Sequence, residues 1–206
     1  MTRPLSIVRA LLAALLLCSI APAYAGNKLI VAGVSIAVAK SAMTVTPERE
    51  WNKMGARPGR NSETWTLDGD TLNDLTFYGG IANDATLFRE VNKRSAPLPR
   101  FSSTMLLTDI PVLLENSYRI ALNTSLMAVD SVTPTTFAGE KAIHFTYSFT
   151  NQDGLRRNGE GTAAIIAGKL YMITFEAPVI HYFARDVASY HQVVASVRFP
   201  AVAKRK

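Results

Sequence analysis

The sequence predicts an α+β domain, an antiparallel β-sheet covered by helices, and three observations carry that expectation. Residues 142–150, "AIHFTYSFT", alternate strictly. Ile143, Phe145, Tyr147 and Phe149 share one side, while His144, Thr146 and Ser148 share the other, which is the period of a two-faced strand. "LRRNGEGTAAII" and "LYMITFEA" follow across the short turns "NQDG" and "AGK", as consecutive strands of an antiparallel meander do. Phe183, Val187, Tyr190, Val194 and Val197 then recur at spacings of three and four, the apolar stripe of an amphipathic helix. Strands, a helix, a meander and a closing helix make the α+β order.

Earlier elements fit the same plan. Val34, Ile36 and Val38, then Met43 and Val45, alternate as one or two short strands that Pro47 ends. "NKMGARPGR" reads as a loop by its Gly and Pro content. Trp65 and Leu67 alternate with threonines, "DG" signals a turn, and Leu75, Phe77 and Tyr78 form a returning strand that ends at Gly79-Gly80. "FREVNKRSAPLPR" is polar, basic and broken by prolines, and reads as an exposed loop. In "TDIPVLLENSYRIAL", Thr108 or Asp109 supplies a cap and Pro111 fits the first helical turn. Ile110, Leu113, Leu114 and Tyr118 fall near one face of that helix. "SLMAVDSV" is a further strand. Gly159 and Gly161 suggest a bulge or a close backbone approach. On the closing helix, Asp186 near the start and Arg198 near the end both complement the helix dipole.

The ends bear on destination. Arg3 and Arg9, the apolar run "ALLAALLLCSI" and the A-x-A pattern of Ala23 and Ala25 read as a secretory signal over 1–25, leaving one domain over 26–206. The run is short of the roughly 20 residues a bilayer span needs. The expected location is therefore periplasmic or secreted. Cys18 is a rival lipid-anchoring position, although Leu17 before it is larger than a lipoprotein signal prefers. Cys18 is also the only cysteine, so the mature domain has neither disulfide nor thiol chemistry. The formal charge of +6 becomes +4 once Arg3 and Arg9 are removed. Such a balance serves solubility or an acidic partner, and with no helix-turn-helix, zinc-finger or RNP pattern it gives nucleic-acid binding no support.

Two segments, "WTLDG…LNDLTFYGGI" and "KLYMITFEAPVIHYFARDVASYHQVVASVRF", resemble bacterial exported proteins of unassigned function with a PsbP/DcrB-like fold. That resemblance implies an α/β/α sandwich around an antiparallel sheet. It also implies a binding or accessory role, and it transfers no catalytic residue.

The residues themselves offer no catalytic signature. There is no G-x-S-x-G elbow and no supported S-x-x-K. Triads are spatial rather than sequential, so an unrecognised hydrolase stays as one alternative. No cofactor and no metal is expected: H-E-x-x-H, Cys/His clusters and EF-hand loops are all missing from the sequence. His181 and His191 lie ten residues apart and His144 sits on another element. His191, at the border of the apolar stripe, reads as a packing residue. Asp68, Asp70 and Asp74 read as turn chemistry. The remaining surface signal is basic. Lys53, Arg57 and Arg60 share one loop, Arg89, Lys93, Arg94 and Arg100 another, and Arg156 and Arg157 follow a turn. If two of these loops meet at one sheet edge they form an anion-attracting patch for anionic lipid, cell-wall polymer or an acidic envelope protein.

Overall fold

The structure is a computed structural model, and it describes residues 26–124, 127–151 and 153–200. The signal expected over 1–25 (with Cys18), Ser125 and Leu126 of the expected "SLMAVDSV" strand, and Gln152 of the expected "NQDG" turn lie outside the described residues.

Among the described residues, ten strands and two α-helices follow in chain order. They are β1 (Lys28–Ile30), β2 (Ile36–Ala37), β3 (Thr44–Val45), β4 (Trp51–Lys53), β5 (Ser62–Thr66), β6 (Asp74–Ile81), α1 (Ile110–Ala121), β7 (Met127–Phe137), β8 (Glu140–Thr150), β9 (Arg156–Ile166), β10 (Lys169–Pro178) and α2 (Tyr182–Ala195). Eight strands form one sheet in the order β1-β4-β5-β6-β10-β9-β8-β7, and β2 pairs with β3 separately. Each pairing is antiparallel. The predicted meander is thus the β8–β10 part of a larger sheet. Its outer strand β7 carries Pro134, which an edge position tolerates because no ladder N–H is needed on the open side.

Side chains of β10 alternate between two buried clusters. Tyr171, Ile173, Phe175 and Ala177 join Trp51, Trp65, Leu75 and Phe77 in the first, together with Tyr190 and Val193 of α2. Leu170 and Met172 join Tyr78, Ile143, Phe145, Tyr147 and Phe149 in the second, together with Ile110, Leu113, Leu114 and Tyr118 of α1. Period two on the strands therefore feeds both clusters, and each helix closes one of them. The four stripe residues of α1 are all buried, each contributing on the order of 1.5–3 kcal/mol. On α2, Tyr190 is buried, Phe183, Val187 and Val194 are half-buried against the first cluster, and Val193 is a core residue that the stripe did not include.

Several expectations change. Trp51–Lys53 is a strand where a loop was expected from residue 52 onward, and Lys28–Ile30 is a further short strand. β6 runs through Gly79-Gly80 to Ile81. Gly80 takes φ +66°, and the β10 partner shifts between Leu170 and Tyr171, so the glycine pair makes a bulge and not an end. Asp109 holds the N-cap position of α1, as expected, but its side chain makes no cap bond to the helix: its Oδ2 accepts the Leu106 N–H at 3.0 Å, closing a 3-10 turn over Leu107–Asp109 before it. Pro111 does lie in the first turn. Gly159 and Gly161 sit in an unshifted register and admit close rings instead. A Cβ at either would come within 2.2 Å of Tyr147 or 2.3 Å of Phe145.

Asp186 is the largest departure. It is fully buried rather than a solvated dipole partner. Its carboxylate accepts from Asn73 Nδ2 at 2.9 Å and from Arg185 Nε at 2.9 Å. Asn73, also fully buried, accepts at Oδ1 from the Thr66 hydroxyl and the Leu67 and Asp68 amides at 2.8, 2.8 and 3.0 Å. One asparagine therefore organises the β5–β6 turn and ties it to α2. Arg198 behaves as expected at the other end, donating to the carbonyls of Ala195 and Val197.

Candidate functional site

The β4–β5 loop and the long loop after β6 pack against each other. The Arg89 amide donates to the Pro58 carbonyl at 2.8 Å, and the Gly59 amide to Ser62 Oγ at 2.5 Å. Gly59 has to be glycine here, since a Cβ would stand 2.2 Å from the Leu87 carbonyl oxygen. Arg100 braces the long loop from within, donating to the Asp84 carbonyl at 2.6 Å and to Glu90 at 3.1 Å. Backbone pairs between Asp84 and Phe101, and between Phe101 and Ala85, close the loop on itself. Buried Phe88 and Leu98 anchor it.

This docking brings two of the basic loops together. Arg57, Arg60, Arg89 and Arg100 line one cleft of ≈ 890 Å³, with Lys40 and Lys169 added from elsewhere in the chain. Asp84 and Glu90 are the acids of that cleft, so its lining carries an excess of four positive charges. A concave wall with a net excess of one sign focuses the field it creates. The Nη1 of Arg57 is buried and has no hydrogen-bond partner, although its Nη2 stands 3.8 Å from Glu63.

The other basic candidates sit differently. Lys53 donates to buried Glu63 at 2.7 Å, and Glu63 also accepts from Trp65 Nε1 at 3.0 Å, so that lysine is committed to a structural pair. Lys93, Arg94 and Arg156 are exposed and do not line the basic cleft. Arg157 is buried: it pairs with Asp74 at 3.3 Å, donates to the Thr71 carbonyl and lies 5.9 Å from the Phe149 ring centre.

A second cleft, of ≈ 710 Å³, adjoins the first, and Arg57, Phe88 and Arg89 line both. Its floor holds Asp74, Tyr78, Tyr118, Arg157 and Glu176. Burial, reinforced by the charge of Glu176, raises the Asp74 carboxyl from 3.8 to about 7 against the opposing pull of Arg157. Burial also raises Glu176, with Arg157 and the hydroxyls of Tyr118 and Tyr147 holding it back. Those hydroxyls donate to Glu176 Oε2 at 2.7 and 3.1 Å. Asp74 Oδ1 and Arg157 Nε remain buried without partners. An apolar cleft with a few convergent polar groups of shifted pKa is the usual form of a small-molecule site. Asp74 stands opposite Glu176 in the β6–β10 register, whereas its sequence position near the "DG" turn invited a reading as turn chemistry.

The histidines also depart from expectation. His144 on β8 and His191 on α2 both hydrogen-bond Glu160 Oε2 on β9, at 3.0 and 2.7 Å. His191 is thus a polar partner rather than a packing residue, and neither bond goes to a serine hydroxyl. A signal for half of this arrangement lay in the β8–β9 hairpin. Register opposes His144 to Thr162 and Thr146 to Glu160, which makes His144 and Glu160 diagonal neighbours on one face.

No protein-family model matches the chain, and no curated protein matches it significantly. Solved structures do. The solution structure of cyanobacterial PsbP (CyanoP) from Synechocystis sp. PCC 6803 is 13% identical, with a TM-score of 0.52, over 87% of this chain and 96% of that one. A protein of unknown function, PA94 from Pseudomonas aeruginosa, is 11% identical at TM-score 0.41, over 73% and 92% of the two chains. LpqN, involved in cell envelope biogenesis of Mycobacterium tuberculosis, is 9% identical at TM-score 0.34, over 87% and 88%. The first likeness shows a shared fold: the chain is PsbP-like in architecture, as the resemblance in its sequence implied.

Proposed function

We propose that this chain is an exported, non-enzymatic binding or accessory protein of the cell envelope, with a signal over 1–25 and one domain over 26–206. The separate clusters under α1 and α2 support an α/β/α layering of that domain. Its ligand carries phosphate or carboxylate groups and binds in the basic cleft. The observation that carries this reading is the convergence of Arg57, Arg60, Arg89 and Arg100 with Lys40 and Lys169 on one concave surface. Arg60 and Arg89 are exposed in that lining, and their guanidinium groups are the donors it offers. The neighbouring cleft suits an apolar or hydroxylated portion of the same ligand, since Tyr78, Phe88 and Tyr118 line it.

Anionic lipid, an anionic cell-wall polymer and an acidic envelope protein share this chemistry. Binding of the full chain to phosphatidylglycerol vesicles and to anionic wall fragments, at low and moderate salt, separates the sources. Binding to either at low salt that weakens as salt rises agrees with the proposal. Failure to bind any polyanion at low salt removes it, because screening only weakens such contacts.

A further inference from the structure

His144, Glu160 and His191 come from three different elements, β8, β9 and α2. One ligand atom from each lies within 4.8 Å of the other two. The imidazole rings stand 6.4 Å apart and are inclined at 64°, so they approach Glu160 from different directions without stacking on each other. We propose that this cluster is a divalent transition-metal site of the Zn²⁺ class, held by two imidazole nitrogens and one carboxylate oxygen.

The donor set selects the ion. Imidazole nitrogen suits zinc and its first-row neighbours, whereas calcium and magnesium take oxygen ligands. Geometry permits it as well. Ligand bonds of about 2.0–2.1 Å in a tetrahedron set the donor atoms roughly 3.3 Å apart. The Nε2–Oε2 separations of 3.0 and 2.7 Å need only a small expansion. The His191 side chain is 56% exposed and can supply that movement, while Glu160, at 14%, is held by the sheet. Coordination uses the Nε2 lone pairs, so each ring carries its proton on Nδ1 in the metal-bound form.

Three protein ligands leave a fourth position. An adjoining cleft of ≈ 590 Å³ is lined by His144 and His191 together with Thr135, Thr136, Gly139 and Thr162. Arg198 also lines it, but its Nη1 is engaged with the carbonyls of Ala195 and Val197. The fourth position therefore opens on a hydroxyl-rich hollow with room for water or a small ligand, which is the pattern of an accessible site and not of a closed structural one.

The test uses the full chain after chelator treatment, titrated with ZnCl₂ by calorimetry and with CoCl₂ by visible absorption. The expected result is one zinc per chain and cobalt bands of four-coordinate intensity. His191→Ala, at an exposed position, and Glu160→Gln each weaken zinc binding about hundredfold, a loss of about 2.7 kcal/mol. His181→Ala, outside the cluster, leaves binding unchanged. Absence of zinc uptake at about 0.1 mM metal, or wild-type affinity in His191→Ala, overturns the proposal. In either case the three side chains are only a hydrogen-bonded pin between helix and sheet.

Discussion

Replacing Asp74 with asparagine changes how stability responds to pH. Asp74 releases its proton near 3.8 in the unfolded chain and near 7 in the folded one, because burial and Glu176 oppose its charge more than Arg157 supports it. The folded state therefore holds a proton that the unfolded state gives up, and stability must fall as pH rises between those values. The contribution of Asp74 is fully present below pH 3.8 and gone once pH has passed through about 7. A shift from 3.8 to about 7, at about 1.36 kcal/mol per unit, amounts to about 4 kcal/mol. Asparagine keeps the size and a carbonyl oxygen that can accept from Arg157 but cannot ionise. Urea unfolding of wild type and Asp74→Asn at a series of pH values from 4 to 8 isolates the effect, since other titrating groups act in both proteins. The stability of the variant relative to wild type is expected to climb by about 4 kcal/mol from acid to alkaline pH. A relative stability that stays flat, or climbs in the opposite direction, refutes the reasoning.

Gly161→Ala places a Cβ 2.3 Å from Phe145, whose ring is fully buried. Overpacking of this kind costs about 2 kcal/mol, seen as a Tm lower by roughly 4–8 °C, and pairing it with Phe145→Leu should recover part of the loss. Asn73→Ala leaves the Leu67 and Asp68 amides without their partner and removes one of the two donors to Asp186 Oδ2. The expected cost is about 2–3 kcal/mol, with faster hydrogen exchange at Leu67 and Asp68; unchanged exchange there argues against Asn73 as the organiser of that turn.

What the sequence disclosed follows from how local each signal is. Ile143, Phe145, Tyr147 and Phe149 face one cluster because alternation is a property of consecutive residues, and Leu113, Leu114 and Tyr118 follow a helical stripe for the same reason. Strands of three residues, such as Trp51–Lys53, carry too few positions for a period to register. Gly79-Gly80 reads equally as an end or a bulge until β10 lies beside it. The burial of Asp186 depends on Asn73, 113 residues away, and a carboxylate near a helix start reads as a dipole partner without that knowledge. The basic loops were legible as loops. Which of their charges stay available was not, because Glu63 and Asp74, which claim Lys53 and Arg157, lie on other strands of the sheet. The His144–Glu160–His191 cluster needed both hairpin register and the docking of α2.

The convergence of basic side chains on one cleft is the central claim, and Arg60 and Arg89 are its exposed arginines. The deciding measurement is the affinity of the full chain for phosphatidylglycerol vesicles at low salt, compared with Arg60→Gln/Arg89→Gln. Each basic residue near an anionic surface is worth about 1 kcal/mol, so the double variant should bind roughly 30-fold more weakly while keeping its fold. Wild-type affinity in the double variant, or equal binding of wild type to neutral vesicles, would contradict an anion-binding role for this cleft.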